Sequence, residues 1–132
     1  MSHHRHVVTA DDAPEALGPY SHAIRSGGLL FCSGQVPLDP ETGELVGGSA
    51  GEQARQCLKN LQSVCAAGGA SLADAVRCTV WLTDMGTFAE VNEVYGTFFE
   101  SDPPARVAIA VAALPKGADV EIDAIVALGG RE

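Results

Sequence analysis

The spacing of apolar residues changes period along this chain, and that change constrains its fold more than any other feature. Ala54, Cys57, Leu58, Leu61, Val64 and Cys65 recur at intervals of three and four, with Arg55, Gln56, Lys59 and Gln62 on the other side. Such spacing describes a helix with one buried face. From Asp74 to Asp84 the period falls to two, Val76, Cys78, Val80 and Leu82 alternating with Arg77, Thr79, Trp81 and Thr83. That pattern is a strand. Helical spacing then returns in Phe88, Val91, Val94, Tyr95 and Phe98. Ser49 with Glu52, and Thr87 with Glu90, are capping-box signatures at the two helix starts; Gly68-Gly69 ends the first helix and Pro103-Pro104 stops the second.

On either side of this centre the chain has β character. Between His6 and about Val36, short β-type runs alternate with turn residues, Gly18-Pro19 and Gly27-Gly28 bracketing Tyr20 to Ser26, with Leu29 to Ser33 following. Pro37 to Glu44 has loop chemistry, with two prolines, an Asp and a Gly. Two further β-rich runs, about Ala105 to Ala112 and Val120 to Leu128, flank the turn-like Pro115-Lys116-Gly117. The order β-β-β-α-β-α-β-β implies an α/β (α+β) chain, a mixed sheet covered on one face by two helices. The 132 residues fit one domain, with about residues 1–5 expected to be mobile. A sheet covered on one face only, in so short a chain, commonly buries its other face against another subunit, so a homo-oligomer is expected.

Charge narrows the partners. Seventeen acidic residues against eight basic ones leave a net charge of -9, with no Lys/Arg stripe to meet phosphates, which argues against nucleic acid or an anionic bilayer. No apolar run approaches the roughly 20 residues that span a membrane. Cys32, Cys57, Cys65 and Cys78 form no CxxC pair and fit free thiols in a reducing cytoplasm, where they fill the core. His3, His4 and His6 lack a Cys or carboxylate at ligand spacing, and no metal site is expected there.

Arg106, Glu121 and Asp123 stand out among Val107, Ile109, Val111, Val120, Ile122 and Ile125. Two readings compete. Arg106 can grip a carboxylate through its planar fork while a partly buried Glu121 shuttles a proton, or the two can form an internal salt bridge. Tyr20 and Ser33 are equally compatible with ordinary turn and strand roles, and Asn92 with a solvent-facing helix position. Trp81, Phe88, Tyr95, Phe98 and Phe99 suit a core or a subunit interface.

The run Pro104-Ala105-Arg106-Val107-Ala108-Ile109, followed by Leu114 and Val120-Glu121-Ile122, resembles the C-terminal signature of the RidA/YjgF family of enamine/imine deaminases. Gly18-Pro19-Tyr20-Ser21 and the stretch from Phe31 to Gly43 are similar to its N-terminal blocks, and the likeness runs from about Ala13 to Leu128. This resemblance implies a chorismate-mutase-like fold, a homotrimer with clefts between subunits, and cofactor-free hydrolysis of 2-aminoacrylate-type enamines and their imine tautomers to 2-keto acids and ammonia. It also implies roles. Arg106 matches the carboxylate-binding arginine and Glu121 the acid that handles water and protons; Tyr20, Ser33 and the Gly34 backbone line the cleft, with Asn92 as a further lining residue. Ala108 stands where relatives often carry Cys, leaving that position only a backbone role. The alternative implied by the same pocket is a binding or sensing protein for a small keto acid or amino-acid metabolite. Relatives have also been described as translation inhibitors or ribonucleases, which the acidic charge argues against here.

A simple hairpin about Lys116 would place Arg106 opposite roughly position 127, about six residues or ~20 Å from Glu121. That is too far for one small substrate. Either the last two strands are not neighbours, or the site draws on two subunits.

Overall fold

The computed structural model describes residues 4–129; Met1 to His3, and so His3 of the histidine group and part of the terminus expected to be mobile, lie outside the described residues. The strands are β1 (His6–Val8), β2 (Ala23–Ser26), β3 (Leu29–Gln35), β4 (Ala75–Leu82), β5 (Ala105–Ala110) and β6 (Val120–Ala127). Two helices, α1 (Ala50–Ala67) and α2 (Phe88–Phe98), complete the order expected from the hydrophobic pattern.

Local chemistry explains most boundaries. Gly27 and Gly28 both take positive φ (60° and 81°), the geometry a two-residue hairpin between twisted strands demands, so β2 turns directly into β3. Helix α1 opens with the reciprocal capping box, Ser49 accepting from the Glu52 N–H and Glu52 from the Ser49 N–H. Its apolar stripe, Ala54, Cys57, Leu58, Leu61, Val64 and Cys65, is wholly buried. The second capping box does not form. A 3-10 turn over Met85–Thr87, capped by Asp84, already draws Thr87 into helical backbone, so the Thr87 hydroxyl donates back to the Asp84 carbonyl. Glu90 is diverted to the N–H of Gly51 and ties the two helix starts together. Helix α2 also ends at Phe98, ahead of Pro103-Pro104.

The six strands form one sheet in the order β1-β2-β3-β6-β4-β5, antiparallel throughout except for the parallel β4–β5 pair. The last two strands are therefore not a hairpin. Strand β4 lies between them, and the connection 111–119 arches over its end, where Leu82 is level with both Ala110 and Val120. The arch is held by a reciprocal pair: Gln53 of α1 donates to the Asp119 carboxylate and accepts from the Asp119 N–H.

Leu30, Cys32, Cys78, Val80, Leu82, Ile122, Ala124 and Val126 face the helices and join their apolar stripes in one core. All four cysteines are free and buried. The other face lies open. Phe31, Val107 and Ile109 are about two-fifths exposed there, with Trp81 and Ile125 half-buried beside them. Among the described residues no helix is long and apolar enough to cross a membrane.

Candidate active site

Strand β3 pairs Cys32 with Ala124 and Gln35 with Ile122, so Ser33 and Gly34 oppose a single residue of β6. Such an irregularity re-aims a strand locally, and here it opens a cleft of about 300 Å³. Its lining is Leu17, Tyr20, Ser33, Gly34, Val36, Pro115 and Glu121. Four residues singled out from the sequence thus meet in one place.

Each is held for a reason. The Ser33 hydroxyl donates to the Ser21 carbonyl at 2.6 Å and the Ser33 N–H to the His22 carbonyl at 2.9 Å, which joins β3 to the segment carrying Tyr20. The Tyr20 hydroxyl accepts from the Leu17 N–H at 2.9 Å, closing that segment into a lip. His22, buried, clamps the lip from behind: Nδ1 accepts from the Ala10 N–H, so Nε2 carries the proton that reaches the Pro14 carbonyl. Glu121 leans over Gly34, where an added methyl would overlap its carboxylate; glycine is needed there for close approach rather than for an unusual φ. Partial burial, and then the neighbouring Asp123, push the Glu121 carboxyl above its usual range. Asp123 is itself occupied, accepting the Thr79 N–H at 2.9 Å. A half-buried carboxyl raised in this way, at the wall of a cleft, is suited to proton transfer.

Arg106, Asn92 and Ala108 lie elsewhere. Arg106 is level with Cys78 and Ala108 with Val80, both on the helix-covered face, whereas Glu121 is level with Trp81 on the open face. From Arg106 to Glu121 is two strand spacings, roughly 10 Å across, and three residues, roughly 10 Å along, on opposite faces. An internal Arg106–Glu121 salt bridge is ruled out. Instead Arg106 donates to the Asn92 side-chain oxygen of α2 and rests over the Phe88 and Tyr95 rings, remaining exposed, with no ion pair among the described residues. One chain therefore carries two separate groups of polar residues: Tyr20, Ser33, Gly34 and Glu121 in the cleft, and Arg106 with Asn92 at the β5 edge.

Sequence reasoning missed the cleft's apolar wall, Leu17, Val36 and Pro115, and the supports His22, Gln53 and Asn60. The two amides left a faint signal. Asn60 and Gln53 fall beside the apolar stripe of α1, and Asn60 is buried because its amide donates to the Val36 and Leu38 carbonyls as β3 leaves the sheet. Among the described residues, which leave out His3, no group of three His, Cys, Asp or Glu could hold a metal.

Fold and cleft together describe a class, an α+β chain with an open-faced sheet and a carboxyl at the wall of a cleft, rather than one activity. The chain belongs to the RidA/YjgF family: a family model described as endoribonuclease L-PSP matches residues 10–128. It is 54% identical over 121 residues to the RutC family protein y4sK of Sinorhizobium fredii, covering 92% of this chain and 96% of that one. It is 47% identical over 125 residues to the mouse (Mus musculus) 2-iminobutanoate/2-iminopropanoate deaminase, covering 95% and 93% of the two chains. The crystal structure of RidA from an Antarctic Psychrobacter superposes with a TM-score of 0.89 at 44% identity, over 92% of this chain and 98% of that one.

Proposed function

We propose that this protein is an enamine/imine deaminase that hydrolyses 2-aminoacrylate-type enamines, through their 2-imino acid tautomers, to 2-keto acids and ammonia. The observation that carries the reading is a half-buried carboxyl, raised above its usual range, facing the Ser33–Gly34 break in β3 inside a small, partly apolar cleft. The deaminase names of relatives at 43–47% identity support it.

The chemistry asks for positioning and proton management. Arg106 holds the substrate carboxylate. Glu121 takes a proton from water as its oxygen attacks C2 of the imine and returns it to the imine nitrogen, giving a carbinolamine; the hydroxyl proton then passes through the same carboxyl to the amine, and the C–N bond breaks as the C=O forms, releasing ammonia and the 2-keto acid. The residues present supply these steps without a cofactor, and Ala108 contributes backbone only. Tyr20, Ser33 and the Gly34 backbone orient the polar groups, with Asn92 steadying the arginine.

Because Arg106 and Glu121 of one chain are too far apart for one small substrate, the complete cleft is assigned to the junction between copies of the chain in a homotrimer. The uncovered apolar face of the sheet supports association. A ribonuclease reading, which the family description would suggest, is disfavoured by the net charge of -9 and the absence of a basic stripe in the sequence. The free cysteines agree with a cytoplasmic site of action.

Ammonia release from freshly generated 2-aminoacrylate, measured against spontaneous hydrolysis, tests the function. Wild type is expected to accelerate it, Arg106→Ala to lose at least ~100-fold with the oligomer intact, and Glu121→Gln to bind ligand while turning over slowly. No acceleration by wild type across several amino-acid-derived imines would overturn the deaminase and leave the keto-acid-binding reading. Substantial turnover by Arg106→Ala would remove the arginine from the mechanism.

A further inference from the structure

Arg106 is exposed, yet its guanidinium is held on three sides. Its carbon lies 4.9 Å from the centre of the Tyr95 ring and 5.4 Å from that of Phe88, within the range at which an aromatic face attracts a cation. Asn92 accepts from one terminal nitrogen. Helix α2 supplies all three contacts, Phe88, Asn92 and Tyr95 recurring at intervals of four and three on one side of the helix. The guanidinium edge turned away from Asn92 stays available to a ligand.

Tyr95 is itself held in place by burial and ring packing. It is 5% exposed, Phe99 packs against it with ring centres 4.8 Å apart, and Cys78, the neighbour of Arg106 across β4–β5, lies by its hydroxyl. The Tyr95 hydroxyl is buried without a directed hydrogen-bond partner, a cost that a phenylalanine would avoid. Burial pushes its ionisation further upward, so the ring under the guanidinium is a neutral phenol.

We propose that Tyr95, with Phe88 beside it, is a positioning residue that sets the plane in which Arg106 presents its free edge to a carboxylate. The ring face performs this task and the hydroxyl does not. A carboxylate gains two parallel hydrogen bonds only when it lies in the guanidinium plane, so tilting that plane costs affinity although every polar group remains. The proposal rests on the reading of Arg106 as the carboxylate anchor and adds what orients it.

The test uses 2-oxobutanoate as probe, titrated into the full-length protein, together with the NMR resonances of the Arg106 side chain. Wild type is expected to bind and Arg106→Ala to lose binding. Tyr95→Leu and Phe88→Leu are each expected to weaken binding by about fivefold to tenfold, with Arg106 side-chain protons moving downfield as the ring faces are lost. Tyr95→Phe should stay within about twofold of wild type. Phe88 is only half-buried, so its variant reads the effect even if Tyr95→Leu does not fold. If Arg106→Ala binds as well as wild type, the anchor reading fails and takes the proposal with it. If Arg106→Ala loses binding while Phe88→Leu and any folded Tyr95→Leu bind normally, or if Tyr95→Phe loses as much as the leucine variants, the positioning role alone is overturned.

Discussion

Glu121 is subject to two influences that act in the same direction, partial burial and the nearby Asp123 carboxylate, and both disfavour its charged form. The folded chain therefore binds this proton more tightly than the unfolded chain does. Its contribution favours folding at pH values below the ordinary carboxylate range and is lost as pH rises through the unfolded and then the folded value. Glu121→Gln, which has no such charge to bury, is expected to melt roughly 1–3 °C above wild type at pH 7, a small gain because water screens a half-exposed group. The difference should fade toward about pH 4. Thermal melts across that range check it, and a wild type more stable than the variant at neutral pH would contradict the assigned environment. Gly34 gives a second residue-level test. In Gly34→Ala the new methyl overlaps the end of the flexible Glu121 side chain, so the acid must swing aside while the backbone stays put. The expected result is a ~10- to 100-fold fall in turnover with a melting temperature within a few degrees of wild type.

At the level of elements, what could be read from the sequence was local and what could not was topological. The α1 stripe, the Ser49 capping box, the Gly27-Gly28 hairpin and the period-two run of β4 are written in residues a few positions apart, and each formed as expected except at Val76, which a bulge between Ala75 and Arg77 turns out of the buried row. Thr87-Glu90 carried the same signal and failed because Asp84 opened a turn earlier and Gly51 competed for the Glu90 carboxylate. Sheet order was not legible. Nothing in the run from Ala105 to Leu128 records that β4 lies between its two strands; the span of a hairpin pointed only to strands that are not neighbours or to a site shared by two subunits, and the folded chain sets β4 between the strands with Arg106 and Glu121 on opposite faces. Asn60 shows how much such non-local features matter. Its amide meets two carbonyls of the segment leaving β3, and Asn60→Ala would leave both without it in a buried place. That change is expected to cost about 2–3 kcal/mol in denaturant unfolding, and a loss below ~0.5 kcal/mol would show that the carbonyls find other partners.

Viewed as a whole molecule, the chain has one finished face and one unfinished one. The helices seal one side of the sheet, while Phe31, Val107 and Ile109 remain exposed on the other, and the polar groups divide between the two sides. A symmetric assembly can resolve both problems at once, covering the apolar face and bringing Arg106 of one copy to Glu121 of the next. Mixed oligomers of Arg106→Ala and Glu121→Gln chains test this most directly. Each variant alone is expected to be nearly inactive, but if the chain assembles as the proposed trimer, about a quarter of the clefts in a random mixture would draw an intact Arg106 from one chain and an intact Glu121 from its neighbour. Deaminase activity recovering toward that fraction of wild type is the expected result. Mixed oligomers no more active than the two variants kept apart would contradict a cleft shared between copies.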